Sequence, residues 1–204
     1  MQTAIALTNA APSRTFIASK DASDIALIGQ IAAGDRNAMR VLYARHNVRV
    51  FRFIRRMVGN EAVAEELVSE VFFDVWRQAE RFEARSQVST WILGIARFKA
   101  LSSLRQRKEE ELDDDLARSI EDGSDTPEMA AEKNDQSAIL RRCMMQLSPA
   151  HREIIDLVYY HEKTIQETVE IVGIPENTVK TRMFYARKRL AELLKEAGIE
   201  RGFA

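Results

Sequence analysis

The fold is indicated most clearly by residues 164–194, TIQETVEIVGIPENTVKTRMFYARKRLAELL. A short helical pattern ends at the turn around Gly173, and a longer basic helical pattern follows it, which is typical of a DNA-reading helix-turn-helix. At about 100° per residue, one side of the second helix is apolar and should pack toward the core. That seam contains Val179, Met183, Ala186, Leu190, Leu193 and Leu194.

The opposite side of the same helix carries polar, cationic and aromatic side chains. Asn177, Thr181, Phe184 and Lys188 lie farthest from the seam, Lys180 and Arg187 border one edge, and Arg182, Tyr185 and Arg189 border the other. No acidic residue lies between Lys180 and Arg189, which argues against the alternative of an ordinary amphipathic helix with a solvated charged face. In a major groove, the cations would contact phosphates while the Asn, Thr and Lys side chains reach base edges.

The composition predicts an all-α protein. The chain has 204 residues, enough for two small domains, but only 8 glycines and 4 prolines, and a fold of many short strands needs more turn residues. We expect two small helical domains joined by a flexible acidic linker, the C-terminal domain containing the helix-turn-helix. No apolar run approaches the ~18 residues of a membrane span, and the first residues lack the features of a signal peptide. These features predict a cytoplasmic protein without membrane insertion.

Charge divides the chain into segments. Residues 24–108 carry a net charge of +6 and residues 136–204 a net charge of +2, whereas residues 109–135 carry −10. The acidic segment has little apolar content and is expected to be a flexible linker. Residues 1–23 are expected to be a disordered tail. Two basic domains on either side of an acidic linker favour a nucleic-acid partner.

Helical patterns fill both basic segments. In the first, they cover residues 24–58 with a break at Gly34, residues 61–82 and residues 89–107, and Asp24 is the expected N-cap. In the second, they cover residues 136–146, a helix that begins at Ser148 and Pro149, residues 164–172 and residues 176–197.

One aromatic side chain lies on the polar side of its helix. In residues 61–82, Phe73 falls in the middle of the polar arc and Trp76 at its border. A large exposed aromatic among charges is typical of a protein interface. The alternative is that the tail or a neighbouring helix covers Phe73.

Catalytic and metal chemistry have little support in the residues. His46, His151 and His161 are far apart, His161-Glu162 lacks the second histidine of a zinc-protease helix, and there is neither a phosphate-binding glycine loop nor a Cys/His cluster. We therefore predict no enzyme, no metal site and no cofactor. The single cysteine, Cys143, excludes an internal disulfide.

Three segments resemble the extracytoplasmic-function group of bacterial sigma factors. They are EELVSEVFFDVWRQAERF at 65–82, STWILGIARFKALSSLRQRK at 89–108 and LSPAHREIIDLVYYHEKTIQETVEIVGIPENTVKTRMFYARKRL at 147–190. They are similar, in order, to the family's polymerase-binding helix, its minus-ten segment and its fourth domain. The resemblance extends over about residues 24–197, and the acidic segment matches only in position and character.

The resemblance implies a sigma factor that binds core RNA polymerase and directs initiation at promoter DNA, with a stress-responsive role and an anti-sigma factor as a further partner. It implies sigma domain two at 24–108 and sigma domain four at 136–204. The polymerase would contact Glu66, Leu67, Glu70, Phe73 and Trp76. The minus-ten strand would lie near Ser86, Gln87, Val88, Trp91 and Arg97. The minus-thirty-five element would contact Asn177, Thr178, Lys180, Thr181, Arg182, Phe184, Arg187 and Lys188.

Several residues depart from the family pattern, and some alternatives remain. Phe98 replaces the frequent asparagine after Ile-Ala-Arg, Ser102 replaces an aspartate, Tyr185 replaces an arginine, and Thr168-Val169 replaces Ile-Ala. The alternative for Trp91 is a core position. The alternative function is a one-component helix-turn-helix regulator that acts without polymerase. The acidic linker is either a soluble spacer or a cover for the cationic face of the last helix.

Overall fold

The computed structural model describes residues 23–114 and 136–199, with side chains from 23 to 108 and from 138 to 199. The described residues form helices and no strands, which confirms the all-α prediction. The N-terminal domain consists of α1 (Asp24–Ala32), α2 (Arg36–Val58), α3 (Glu61–Gln78), a 3₁₀ turn (Ala79–Arg81) and α4 (Val88–Asp114). The C-terminal domain consists of α5 (Gln136–Met145), α6 (Pro149–Ile155), a π-helical turn (Asp156–Tyr160), α7 (Ile165–Val172) and α8 (Glu176–Glu196).

Side chains at the helix starts satisfy free backbone N–H groups. Asp35 accepts from the N–H groups of the first turn of α2, and Ser148 accepts from the third residue of α6, with Pro149 at the first helical position as predicted. The prediction that Asp24 caps α1 is wrong. The hydroxyl of Ser23 accepts from the N–H of Ala26 at 3.2 Å, and Asp24 is the first helical residue.

The Asp24 carboxylate instead ties α1 to α2. It accepts from Arg45 at 2.6 Å and lies 2.7 Å from Nε2 of His46. Burial acts to raise the pKa of Asp24, but the hydrogen bonds from Arg45 and His46 outweigh it and lower that pKa below its usual value. Around this link, α1 to α4 enclose an apolar core. Its fully buried members include Leu27, Leu42, Phe53, Ile54, Val71, Val75 and Ile92.

The C-terminal core confirms the apolar seam predicted for α8. All six of its residues from Val179 to Leu194 are buried, and they pack among residues of α5, α6 and α7. Between α7 and α8 the chain turns at Gly173, whose φ of 70° lies in the left-handed region that favours glycine.

Helix α4 is longer than the sequence pattern predicts. It continues through residues 109–114, which were expected to belong to the flexible linker. Those residues are glutamate, leucine and aspartate, with no glycine or proline to stop the helix. The rest of the expected linker and residues 1–22 of the expected tail lie outside the described residues.

Candidate functional site

The outward face of α3 carries the aromatic residue singled out by the sequence. The Phe73 side chain is 61% exposed, as predicted from its place on the polar arc, and its ring lies 5.7 Å from the guanidinium carbon of Arg77. Glu66 is exposed beside it, and Trp76 is half-buried against the core. Leu67 is only 6% exposed, because it lies on the apolar arc of α3, so the structure places it under this face and not on it.

Glu70 links this face to α4. The ammonium of Lys99 donates to Glu70 at 2.9 Å and lies 3.2 Å from Asp74. The hydrogen bond to Glu70 raises the pKa of Lys99, and Asp74 adds to the rise while burial opposes it. Lys99 therefore joins α4 to α3 through two carboxylates that flank the exposed Phe73 in the sequence of α3.

The residues expected near the minus-ten strand lie in different environments. Gln87 is exposed and Ser86 half-buried in the loop before α4, whereas Val88 is 3% exposed. Trp91 is half-buried, with its ring centroid 4.8 Å from that of Phe82. The structure therefore places Val88 in the core and Trp91 partly buried against it.

The surface of α8 presents the residues expected to read DNA. Exposed along it are Asn177, Lys180, Thr181, Phe184, Arg187 and Lys188, while Thr178 and Arg182 are half-buried. The Phe184 and Tyr185 rings contact each other edge to face at 5.4 Å. Lys180 bonds to Glu176 one turn earlier at 2.6 Å. This face is cationic and aromatic and is open to solvent.

Helix α7 has a buried threonine at one of the positions that depart from the family pattern. Thr168 is completely buried, and its hydroxyl donates to the carbonyl oxygen of Thr164 at 2.8 Å. The hydroxyl is thereby satisfied within its own helix, so the polar residue is accommodated at a buried position.

The two domains contact each other through charged and polar side chains, of which only Arg97 is a residue that the family resemblance assigns to DNA. We call this contact the interdomain junction. Arg56 of α2 bonds to Asp156, with its guanidinium carbon 4.1 Å from the ring centroid of Tyr160. Arg97 of α4 donates to Glu153 at 2.7 Å.

Lys163 forms the other part of the interdomain junction. It is 6% exposed and donates to Ser89 at 2.7 Å, to Thr90 at 3.0 Å and to Glu167 at 3.0 Å. A buried ammonium is therefore fully hydrogen-bonded at the point where α4 meets the start of α7.

Comparisons with known proteins agree with this arrangement. Residues 42–110 match the family model for sigma-70 region 2, and residues 137–190 match that for sigma-70 region 4. The chain is 33% identical over 171 residues to the RNA polymerase sigma factor CarQ of Myxococcus xanthus, a match that covers 82% of this chain and 95% of that protein. It is 28% identical over 182 residues to the ECF RNA polymerase sigma factor SigL of Mycobacterium tuberculosis, covering 87% and 100%.

This chain belongs to the extracytoplasmic-function group of the sigma-70 family. Its structure is similar to that of the sigma factor RpoE of Bartonella quintana, solved in complex with the anti-sigma factor NepR, with a TM-score of 0.65 and 26% identity over 78% of this chain and 96% of that one. As a sigma factor, it binds core RNA polymerase and directs promoter-specific transcription initiation. The family does not consist of enzymes.

Two further observations concern the described part of this sigma factor. None of its helices there has both the length and the apolar composition to cross a bilayer. Nor do those residues bring together three histidine, cysteine, aspartate or glutamate side chains in a group that could hold a metal ion.

Proposed function

We propose that this sigma factor uses three separate surfaces. The exposed face of α3 around Phe73 binds core polymerase, the start of α4 with Arg97 contacts the minus-ten strand, and the outer face of α8 reads the minus-thirty-five element. The exposure of Phe73 among charged residues carries the polymerase assignment, because a large aromatic at the surface loses its contact with water when a partner covers it. The cationic outer face of α8 supports the assignment to DNA.

Within α8, the residues divide by chemistry. Arg187 and Lys188 are suited to phosphate contacts, which position the protein without reading sequence. Asn177 and Thr181 are suited to hydrogen bonds with base edges, which carry sequence information. Phe184 offers apolar area for contact with a thymine methyl group.

We also propose an anti-sigma factor as a partner and a regulated, stress-responsive role in the cytoplasm. Support comes from RpoE of Bartonella quintana, which was solved with the anti-sigma factor NepR. Exposed apolar side chains in the C-terminal domain, such as Met145 and Tyr159, offer such a protein a surface that the described residues leave open.

Reconstituted transcription tests the proposed function. Purified core polymerase is mixed with this chain and genomic DNA fragments, and the start sites are mapped. We expect new start sites that share two upstream elements and that need both the chain and the polymerase. Site-specific DNA binding by the chain alone, without an effect on polymerase, would support the one-component regulator instead.

A further inference from the structure

Two carboxylates of the C-terminal domain bind two arginines of the N-terminal domain. Glu153, near the end of α6, accepts from Nε of Arg97, and Asp156, in the turn that follows, accepts from Nη1 of Arg56. The carboxylates are three positions apart in helical backbone, so they lie on one side about one turn apart. Their side chains are 9% and 3% exposed, so both anions are enclosed at the interdomain junction.

Arg56 belongs to a basic stripe along α2. There is no acidic residue in α2, and Arg45, Arg49, Arg52 and Arg56 fall within an arc of about 60° at 100° per residue. Arg49 and Arg52 are exposed, and no carboxylate of the described residues lies within ion-pair distance of either. Asp24 therefore binds the stripe at Arg45 and Asp156 binds it at Arg56, while Arg49 and Arg52 between them are exposed to solvent.

Arg56 and Arg97 line the same cavity. A cavity of about 250 Å³ at the interdomain junction is lined by both of them and by Arg182 from α8. Phe53, Met57, Leu101 and Leu104 form its apolar wall. Arg152 of α6 also lines the cavity, but its guanidinium donates to the carbonyl oxygens of Met144, Met145 and Leu147. Four arginines from four helices thus lie around the two carboxylates.

The interdomain junction contains most of the buried polar and charged residues in the described ranges. Thr90, Asp156, His161 and Lys163 are four of the six buried polar or charged residues in the described ranges, and all four contact the other domain. Removing charges from water offsets much of what their pairing gains, so the pairs of Arg56 and Arg97 add little net stability to the closed arrangement. A phosphate can replace each carboxylate, because a guanidinium binds both anions with similar geometry.

We propose that Arg56 and Arg97 form a binding site for phosphates of the DNA backbone, and that Asp156 and Glu153 occupy this site as internal phosphate mimics. In this closed chain, the C-terminal domain covers the DNA-facing side of the N-terminal domain. Separation of the domains exposes both arginines and extends the stripe of Arg49 and Arg52. The contact of Arg97 with promoter DNA rests on the proposed function, whereas the pairing of the two arginines with internal carboxylates is a property of the free chain.

The test neutralises the two mimics in the full-length chain. Glu153→Gln and Asp156→Asn are combined, and binding to a labelled 30-base-pair duplex and to a labelled 20-nucleotide single strand is measured by fluorescence anisotropy. The matched control is Glu162→Gln with Glu170→Gln, which removes the same charge from two exposed acids of the same domain. Circular dichroism confirms that each variant is folded.

Two arginines released from their carboxylates should make DNA affinity depend more steeply on salt concentration. The variant should bind about tenfold more tightly than the native chain at 50 mM salt and lose most of that gain at 200 mM, since two added phosphate contacts steepen the log–log slope by about 2. The control pair should change affinity at least severalfold less and leave the slope unaltered. An equal gain from both pairs would mean that net charge alone is responsible and would overturn the proposal.

Domain separation is measured independently. In a Cys143→Ala background, spin labels at Ala44→Cys in α2 and Ala191→Cys in α8, both exposed positions, report the distance between the domains. The mimic variant should show longer and broader distances than the native chain. Longer distances without tighter DNA binding would show that the interdomain junction closes the chain but hides no phosphate site.

An exchange of the charges gives a second route if the neutralised variant is unstable. Arg97→Glu combined with Glu153→Arg should restore the short distance while leaving DNA affinity at the native level or below, whereas Arg97→Glu alone should lengthen the distance. A short distance in every variant would overturn the proposal. None of these measurements needs polymerase, so they remain informative if the polymerase face of α3 or the reading face of α8 is wrongly assigned.

Discussion

The hydroxyl of Thr90 donates a 2.7 Å hydrogen bond to Oε1 of Glu167, which joins the first turn of α4 to the first turn of α7. The other oxygen of Glu167 accepts from the backbone N–H of Thr164 at 3.0 Å, in a capping box at the start of α7. Lys163 also donates to Glu167 at 3.0 Å. The carboxylate of Glu167 therefore caps the first helix of the helix-turn-helix and also hydrogen-bonds to Thr90 of the N-terminal domain.

The ionisation of Glu167 predicts a loss of stability at acidic pH. Burial acts to raise the pKa of Glu167, but hydrogen bonds from Thr164, Thr90 and Lys163 outweigh it and lower that pKa from 4.5 to about 2. Because the pKa is lower in the folded chain, ionised Glu167 stabilises the fold above about pH 4.5, and the contribution is lost as the pH falls toward about 2.

We expect Glu167→Gln to lower the melting temperature at pH 7 and to have a shallower loss of stability between pH 5 and pH 3 than the native chain. The full contribution is about 3 kcal/mol in the free energy of unfolding, because folding lowers the pKa of Glu167 from 4.5 to about 2. Thermal unfolding followed by circular dichroism checks this, with Glu170→Gln on the exposed side of α7 as the control. Parallel pH profiles for the native chain and Glu167→Gln would contradict the assignment.

Two exposed phenylalanines provide a matched test of the proposed surfaces. Phe73 is 61% and Phe184 63% exposed, so alanine at either position should change the melting temperature little. Phe73→Ala should weaken the association with core polymerase by about 2 kcal/mol, as for a central interface aromatic. Phe184→Ala should leave that association intact and weaken the binding of holoenzyme to promoter DNA. If Phe73→Ala lost stability but retained its affinity for polymerase, the polymerase face would be wrongly assigned.

Substitutions on the outer face of α8 should affect promoter binding in two different ways. In holoenzyme, Arg187→Ala should weaken binding to all promoters alike and reduce the salt slope by about 1, as expected for one lost phosphate contact. Asn177→Ala and Thr181→Ala should instead change which upstream sequences are preferred, by about 1–3 kcal/mol at the affected base pair. Selection from a randomised minus-thirty-five library distinguishes the two. Sequence-neutral effects from all three variants would remove the base-reading role.

The residues that could be predicted from the sequence are those whose position depends on local periodicity. The seam of α8 and the exposure of Phe73 follow from helical geometry alone. The N-cap of α1 was placed one residue too late, because Ser23 and Asp24 can both cap a helix and only the three-dimensional contacts of Asp24 distinguish them. The end of α4 was missed, because residues 109–114 form helix without an apolar face.

The interdomain junction could not be predicted for a different reason. Arg56 and Asp156 are 100 residues apart, and Arg97 and Glu153 are 56 apart. No periodic pattern relates a charge in one domain to a charge in another, so each of these residues resembled an ordinary solvated side chain. The exception was Arg97, which the family resemblance singled out for DNA and not for the carboxylate it contacts.

The acidic segment at 109–135 leads to a last prediction, which concerns a different surface from the interdomain junction. Half of its net charge of −10 lies in residues 109–114 at the end of α4, and residues 115–135 carry the other −5. A segment so tethered to the C-terminal domain has an effective concentration of order millimolar near it. It could cover Lys180, Arg187 and Lys188, all of which are exposed on α8. We therefore compare the native chain with a variant in which Asp113, Asp114 and Asp115 are replaced by asparagine.

If the segment covers α8, this variant should bind duplex DNA more tightly than the native chain, and the gain should shrink as salt rises, since exposed charges are screened over ~10 Å at 0.1 M. The gain should disappear when Arg187→Ala and Lys188→Ala are added, because the covered cations are then absent. It should persist when Arg97→Gln is added, because Arg97 belongs to the interdomain junction and not to α8. Unchanged DNA binding by the triple-asparagine variant would mean that the acidic segment is a soluble spacer. Glu153 and Asp156 would then be the acidic residues proposed to limit DNA binding by the free chain.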